Sequence, residues 1–130
     1  MSVNIGRDYF EIAAELKKRV EGDIHFDRYS RLLYSTDASI YQIEPVGVVV
    51  PRHKGDVQAV IELAHKLDVS VLPRGGGTSL AGQAVGHSIV LDFSKYMQNV
   101  LEVNQEELWC RVQAGLVQDE LNAHVRAKSL

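Results

Sequence analysis

The chain has 130 residues, enough for about one domain. Its 45% hydrophobic and 24% charged residues are ordinary for a soluble globular protein. A formal net charge of −3, with no long run of Lys or Arg, argues against nucleic acid or an anionic membrane surface as the main partner. The single cysteine, Cys110, excludes an intrachain disulfide, and no stretch is long and apolar enough to span a bilayer.

Residues 8–21, "DYFEIAAELKKRVE", have helical periodicity. Asp8 is the candidate N-cap, with Glu11 three residues on and Gly22 after the end. Phe10, Ala13, Ala14 and Leu16 form the expected apolar face. Residues 28–45 read as a short helix and then an irregular connection ending near Pro45. "GVVVP" at 47–51 is a β-branched run stopped by proline, the pattern of a buried strand. "GDVQAVIELAHKLD" at 55–68 is the clearest helix, with Val57, Val60, Ile61, Ala64 and Leu67 on one face. "VSVLP" at 69–73 and "SIVLDF" at 88–93 are two further apolar strands.

A helix between two fully apolar strands predicts parallel pairing with a right-handed crossover. The fold class is therefore α/β (α+β), with a small parallel β-sheet flanked by helices. After Asn99 the pattern alternates, and "VLEVNQEELWCRVQAG" predicts an antiparallel pair around "NQEE". Cys110, beside Trp109, reads as inert core of that pair. From Val117 the spacing is helical again and reaches Leu130 with neither glycine cap nor proline. The chain thus reads as a fragment of a longer protein.

The residues that demand a functional account are "VLPRGGGTSLAGQAVG", 71–86. Glycine loses more conformational entropy on folding than any other residue, so three in a row after a buried strand need a reason. One reason is an anion: bare backbone lets successive N–H groups converge on a phosphate. A G-x-G-x-x-G match fails at Leu80, and a P-loop match fails because Gln83 and Ala84 stand where Lys and Ser or Thr are needed. Gly82 and Gly86 also argue against a long helix after the loop, leaving loop amides, the Thr78 and Ser79 hydroxyls and Arg74 as the candidate anion ligands. The plain alternative is a tight turn at a strand end.

"PRGGGTSLAGQ" resembles the FAD-binding loop of flavoenzymes related to p-cresol methylhydroxylase and vanillyl-alcohol oxidase, in particular the branch with the flavin-carrying glycolate oxidases and D-lactate dehydrogenases. Upstream, "STDAS", a proline, "VVVP" and a helix follow that branch's order, and downstream "VQAGLVQDELN" resembles its step into the next helix, with Ala114 where proline is common. The resemblance implies an incomplete FAD-binding domain of the PCMH type, with residues 1–95 as the first α/β lobe and 96–130 as the start of an antiparallel second lobe. It implies that Arg74, Gly75, Gly76, Gly77, Thr78 and Ser79 contact the FAD diphosphate, with Gly82 and Gln83 along its edge. Thr78 stands where some relatives carry the histidine that links FAD covalently, so the implied flavin is non-covalent.

By the same resemblance, the whole protein would oxidise a 2-hydroxy acid such as D-lactate or glycolate, with the hydride going to flavin N5. The catalytic residues and any iron–sulfur domain or subunit that accepts electrons would lie outside this chain. A non-redox nucleotide-diphosphate module, or a nucleotide-sugar reductase of the same fold, is the alternative. The expected location is cytoplasmic, with a peripheral inner-membrane position open for the whole protein. Alone, the chain is expected to bind FAD weakly, to have no turnover, and to form a homodimer through exposed strand edges.

Other polar residues keep two readings each. Asp37 caps a turn or touches the flavin. Arg74 binds phosphate or makes a salt bridge that holds the loop. His87 borders the loop and either sits near the phosphates or does not reach them. His65 is expected to be solvated on the polar side of its helix, and the five histidines lack the spacing of a metal site.

Overall fold

The computed structural model describes residues 5–126. In chain order the elements are α1 (Ile5–Lys17), β1 (Asp23–His25), α2 (Arg28–Leu33), β2 (Gly47–Val50), α3 (Lys54–Lys66), β3 (Val71–Arg74), β4 (Ile89–Asp92), β5 (Val100–Asn104), β6 (Trp109–Val112) and α4 (Gln118–Arg126). The first four strands form one sheet in the order β1-β2-β4-β3, and β5 and β6 form a separate antiparallel hairpin. Strands β2, β4 and β3 run parallel, while β1 joins β2 antiparallel, a short edge strand that the sequence pattern did not reveal.

The two strands around α3 are parallel to one another, as expected, but β4 lies between them. The order follows from what each strand can bury. In β2 and β4 every residue is buried, which suits central positions. In β3, Ser70 and Arg74 direct their carbonyls to β4, bonding Ile89 and Phe93. By alternation Pro73, which has no N–H, turns its missing donor to the open edge, where the ladder loses nothing.

One sheet face packs Val49, Ile89 and Leu91 against Ile12, Leu16 and Val20 from α1 and beyond, and against Val60, Leu63 and Ala64 of α3. Complete burial of each such side chain stabilises the fold by about 1.5–3 kcal/mol. The helical faces differ from the expected ones in detail. Helix α1 begins before Asp8, so Asp8 lies inside it and not at the N-cap position. Its buried stripe is Ile12, Ala13 and Leu16, whereas Phe10 is 82% exposed and Ala14 is also exposed. Gly22 lies well past the helix end and instead lets the backbone come close to Val50, whose carbonyl oxygen a Cβ would meet at 2.1 Å. On α3, Ile61 is half exposed and Leu63 takes the core position, and His65 is exposed as expected.

Helix α3 starts at a tight junction. The His53 ring Nδ1 accepts the Asp56 N–H at 3.4 Å. The Asp56 carboxylate, 1% exposed, accepts the Glu21 N–H at 2.9 Å and the Arg52 N–H at 2.8 Å. One buried acidic side chain therefore joins the chain after α1 to the chain before α3.

The β5–β6 hairpin carries a cross-strand ion pair, Arg111 to Glu102 at 3.0 Å. After β6 the chain packs back on the segment between β4 and β5 at Gly115, whose N–H donates to Met97 O at 2.9 Å. A Cβ there would lie 1.9 Å from Phe93 O, so only glycine permits this approach. Cys110 is exposed and not core: along β6 only Trp109 is partly buried, and Cys110, Arg111 and Val112 are open. No helix among the described residues is long and apolar enough to cross a membrane.

Candidate functional site

Residues 75–88 connect β3 to β4 without a helix. They leave the carboxyl end of β3 at Arg74 and must return to the amino end of β4, because the two strands are parallel and in register. The glycine run lies at the carboxyl edge of the sheet, the edge where α/β folds hold ligands. His87 lies at the opposite edge, and its Nδ1 is 3.1 Å from Glu44 O. That placement decides against a phosphate role for His87.

Each glycine of the loop has a separate cause. Gly77 has φ +69°, and a Cβ would come within 2.4 Å of the Arg74 Nη2. Gly82 has φ +83° and would meet the Tyr41 ring at 2.6 Å. Gly75 and Gly76 differ: neither has a positive φ, a Cβ on Gly75 would meet nothing within 4 Å, and one on Gly76 would meet only the Thr78 methyl at 3.7 Å. The fold itself does not require these two to be bare.

Among the described residues, no acceptor takes the amide hydrogens of Gly75, Gly76, Gly77, Thr78 or Ser79, and neither hydroxyl is bonded within the chain. Five donors, two open glycines and two hydroxyls thus share one sheet edge. Such a set fits an extended anion with several oxygens. The diphosphate of FAD has that chemistry, so the residues present fit the group.

A second segment, residues 34–41, supports the loop. The Arg74 guanidinium donates to Tyr34 O at 3.3 Å, Ala84 O at 3.0 Å and Thr36 O at 2.9 Å. Among the described residues Arg74 has no carboxylate within salt-bridge distance, so it holds the loop through carbonyls and not through the ion pair considered from sequence. Ala38 N–H donates to Gly77 O at 3.1 Å. Asp37 accepts the Ser39 N–H at 2.8 Å and the Ala84 N–H at 3.3 Å, a turn cap that also holds the far end of the loop. The Ser39 bonds, with help from the Ala84 amide and the Arg74 charge, keep its carboxyl below the usual aspartate range. Gln83 is exposed and Gly82 packs back on Tyr41, away from the open glycines.

Tyr34 was not among the residues singled out from sequence. Its hydroxyl donates to the buried Asp92 carboxylate at 2.5 Å, and its ring lies 5.2 Å from the Arg74 guanidinium carbon. Burial first, and then the Asp92 carboxylate, push its phenol up from 10.0 to about 12. A pKa raised by folding contributes stability that is present below about pH 10 and lost as pH climbs through 12. The expected result is a loss of stability between pH 10 and 12 in the parent protein that is smaller in Tyr34→Phe. Urea midpoints of both proteins across that window check it, and equal slopes would refute the Tyr34–Asp92 link.

A mostly parallel sheet with a bare-amide loop at its carboxyl edge defines a class, the α/β folds that hold a ligand at that edge. p-Cresol methylhydroxylase shares this fold with a TM-score of 0.81 at 13% identity, over 98% of this chain and 26% of that one. A family model described as FAD binding domain matches residues 45–130, and the chain belongs to that family. D-2-hydroxyglutarate dehydrogenase of Escherichia coli (strain K12) is 44% identical over 108 residues, 81% of this chain and 11% of the relative. Glycolate oxidase subunit GlcD of Bacillus subtilis (strain 168) is 33% identical over 117 residues, 86% of this chain and 25% of the relative. The chain spans about a tenth of the length of the D-2-hydroxyglutarate dehydrogenases of Pantoea ananatis and Escherichia coli.

Proposed function

We propose that this chain supplies the diphosphate-holding lobe of an FAD-dependent dehydrogenase that oxidises a D-2-hydroxy acid. The observation that carries this reading is the pair Gly75 and Gly76, bare without an internal cause and set among five amides that no described residue pairs. Gly75, Gly76, Gly77, Thr78 and Ser79 hold the diphosphate through N–H groups and hydroxyls. Arg74, Gly82 and Gln83 complete the loop around it. Bound FAD supplies a hydride acceptor, and the role of this chain is to bind and orient it. The 44% identity to D-2-hydroxyglutarate dehydrogenase favours a dicarboxylic 2-hydroxy acid over glycolate as substrate. Residues 1–95 then act as the first lobe and 96–130 as the start of the second. The exposed apolar side chains Leu101 and Leu108 on the hairpin favour self-association if the chain is isolated.

The test is the absorption spectrum of the purified full-length protein, followed by dye reduction with D-2-hydroxyglutarate, D-lactate and glycolate. Flavin bands, release of the flavin on denaturation, and the highest kcat/KM with D-2-hydroxyglutarate are expected. A colourless protein that binds nucleotide diphosphates would overturn the redox reading.

A further inference from the structure

We infer that Arg74 is a positioning residue that preforms the glycine loop by gripping three carbonyls, and that it is not a ligand of the phosphates. The inference rests on the proposed flavin function and says how the loop achieves its affinity.

Three observations carry it. First, the guanidinium points inward: Nη1 serves Tyr34 O and Ala84 O, and Nη2 serves Thr36 O. These carbonyls come from two segments far apart in sequence, and the planar fork joins them across one point. A lysine ammonium could not reach all three in that geometry. Second, Gly77 is bare where the guanidinium passes, so the loop is shaped around the arginine side chain. Third, the surroundings offset its charge. Asp37 is held below its ordinary range partly by Arg74, and the Tyr34 ring lies 5.2 Å from the guanidinium carbon. The anion is then left to the uncharged amides of residues 75–79.

The physical gain is entropic. Residues 75–88 contain no helix to order them, and each residue fixed only on binding would weaken affinity by its lost conformational entropy. A loop already closed on Arg74, with Gly77 O bonded to Ala38 and the Ala84 N–H bonded to Asp37, avoids that cost.

The experiment uses the full-length protein stripped of flavin, as parent, Arg74→Lys, Arg74→Ala and Gly77→Ala. Gly77→Ala leaves the charge in place but crowds the guanidinium and strains the left-handed backbone, so the two Arg74 variants carry the decision between grip and charge. FAD affinity is read by flavin fluorescence at low and high salt, and limited proteolysis reads cleavage within residues 75–88 before and after FAD. All three variants are expected to weaken FAD about ten- to a hundredfold. The ratio to parent should stay constant with salt, and cleavage of the loop should be faster without FAD. Parent-like affinity in Arg74→Lys, with loss only in Arg74→Ala, would make the charge the active element and overturn the inference. So would unchanged cleavage in all variants. If the parent itself binds no FAD, the function proposed above fails, and the cleavage arm still decides the grip.

Discussion

Replacing Gly75 and Gly76 together by valine is expected to remove FAD binding and leave the fold intact. Most glycine substitutions confound the two effects, and Gly77 and Gly82 would do so here, because both have left-handed backbone and close neighbours. Gly75 and Gly76 have neither. Side chains there project into open space, and neither residue has the left-handed backbone that excludes valine. Stability of the flavin-free protein should change by less than about 0.5–1 kcal/mol. The diphosphate, however, must come within hydrogen-bond distance of the amides, about 2.9 Å, and branched side chains hold it off. Each hydrogen bond to a charged group contributes about 1.5–3 kcal/mol, so loss of two or three predicts an affinity drop of a hundredfold or more. Flavin content per chain and the thermal midpoint of the stripped protein are the two readouts. Normal flavin content in the double variant would show that the cofactor does not approach this backbone.

Asp56→Ala is expected to have the largest effect on stability, about 3–5 kcal/mol. The carboxylate is almost fully buried and accepts two backbone N–H groups, those of Glu21 and Arg52. Alanine leaves both part-buried donors without that acceptor, at up to about 1–3 kcal/mol each, and opens a void where the carboxylate was. It also frees the chain after α1 from the start of α3, and α1 supplies Ile12 and Leu16 to the core. Asp56→Asn should recover only part of the loss, because its amide NH₂ must face one of the two N–H groups. Denaturant midpoints of the three proteins measure this; a parent-like midpoint for Asp56→Ala would mean that the junction contributes nothing.

Much of the site was legible because it is written in contiguous residues. The loop from Arg74 to Gln83 reads as a candidate anion cradle from glycine count, hydroxyls and position after an apolar strand. The grip on that loop was not legible. Arg74 binds carbonyls of Tyr34 and Thr36, and a backbone carbonyl carries no side-chain signature for a sequence to display. Tyr34 was missed for the same reason, since its partner Asp92 is 58 residues away. Two tyrosines flanking "STDAS" were the one available hint, and only the second, Tyr41, packs on a loop glycine.

By itself the chain's order of residues determined the local elements: the strand–helix–strand run, the helix-free glycine connection and the hairpin around "NQEE". These depend on periodicity, propensity and turn chemistry, which act over a few residues. Only the tertiary structure decided that β4 sits between β2 and β3, that β1 closes one edge, that Phe10 and Ile61 face outward, and that Arg74 faces inward. Those outcomes depend on which surfaces meet across the sheet, and burial and carbonyl pairing between distant segments are properties of the packed chain alone.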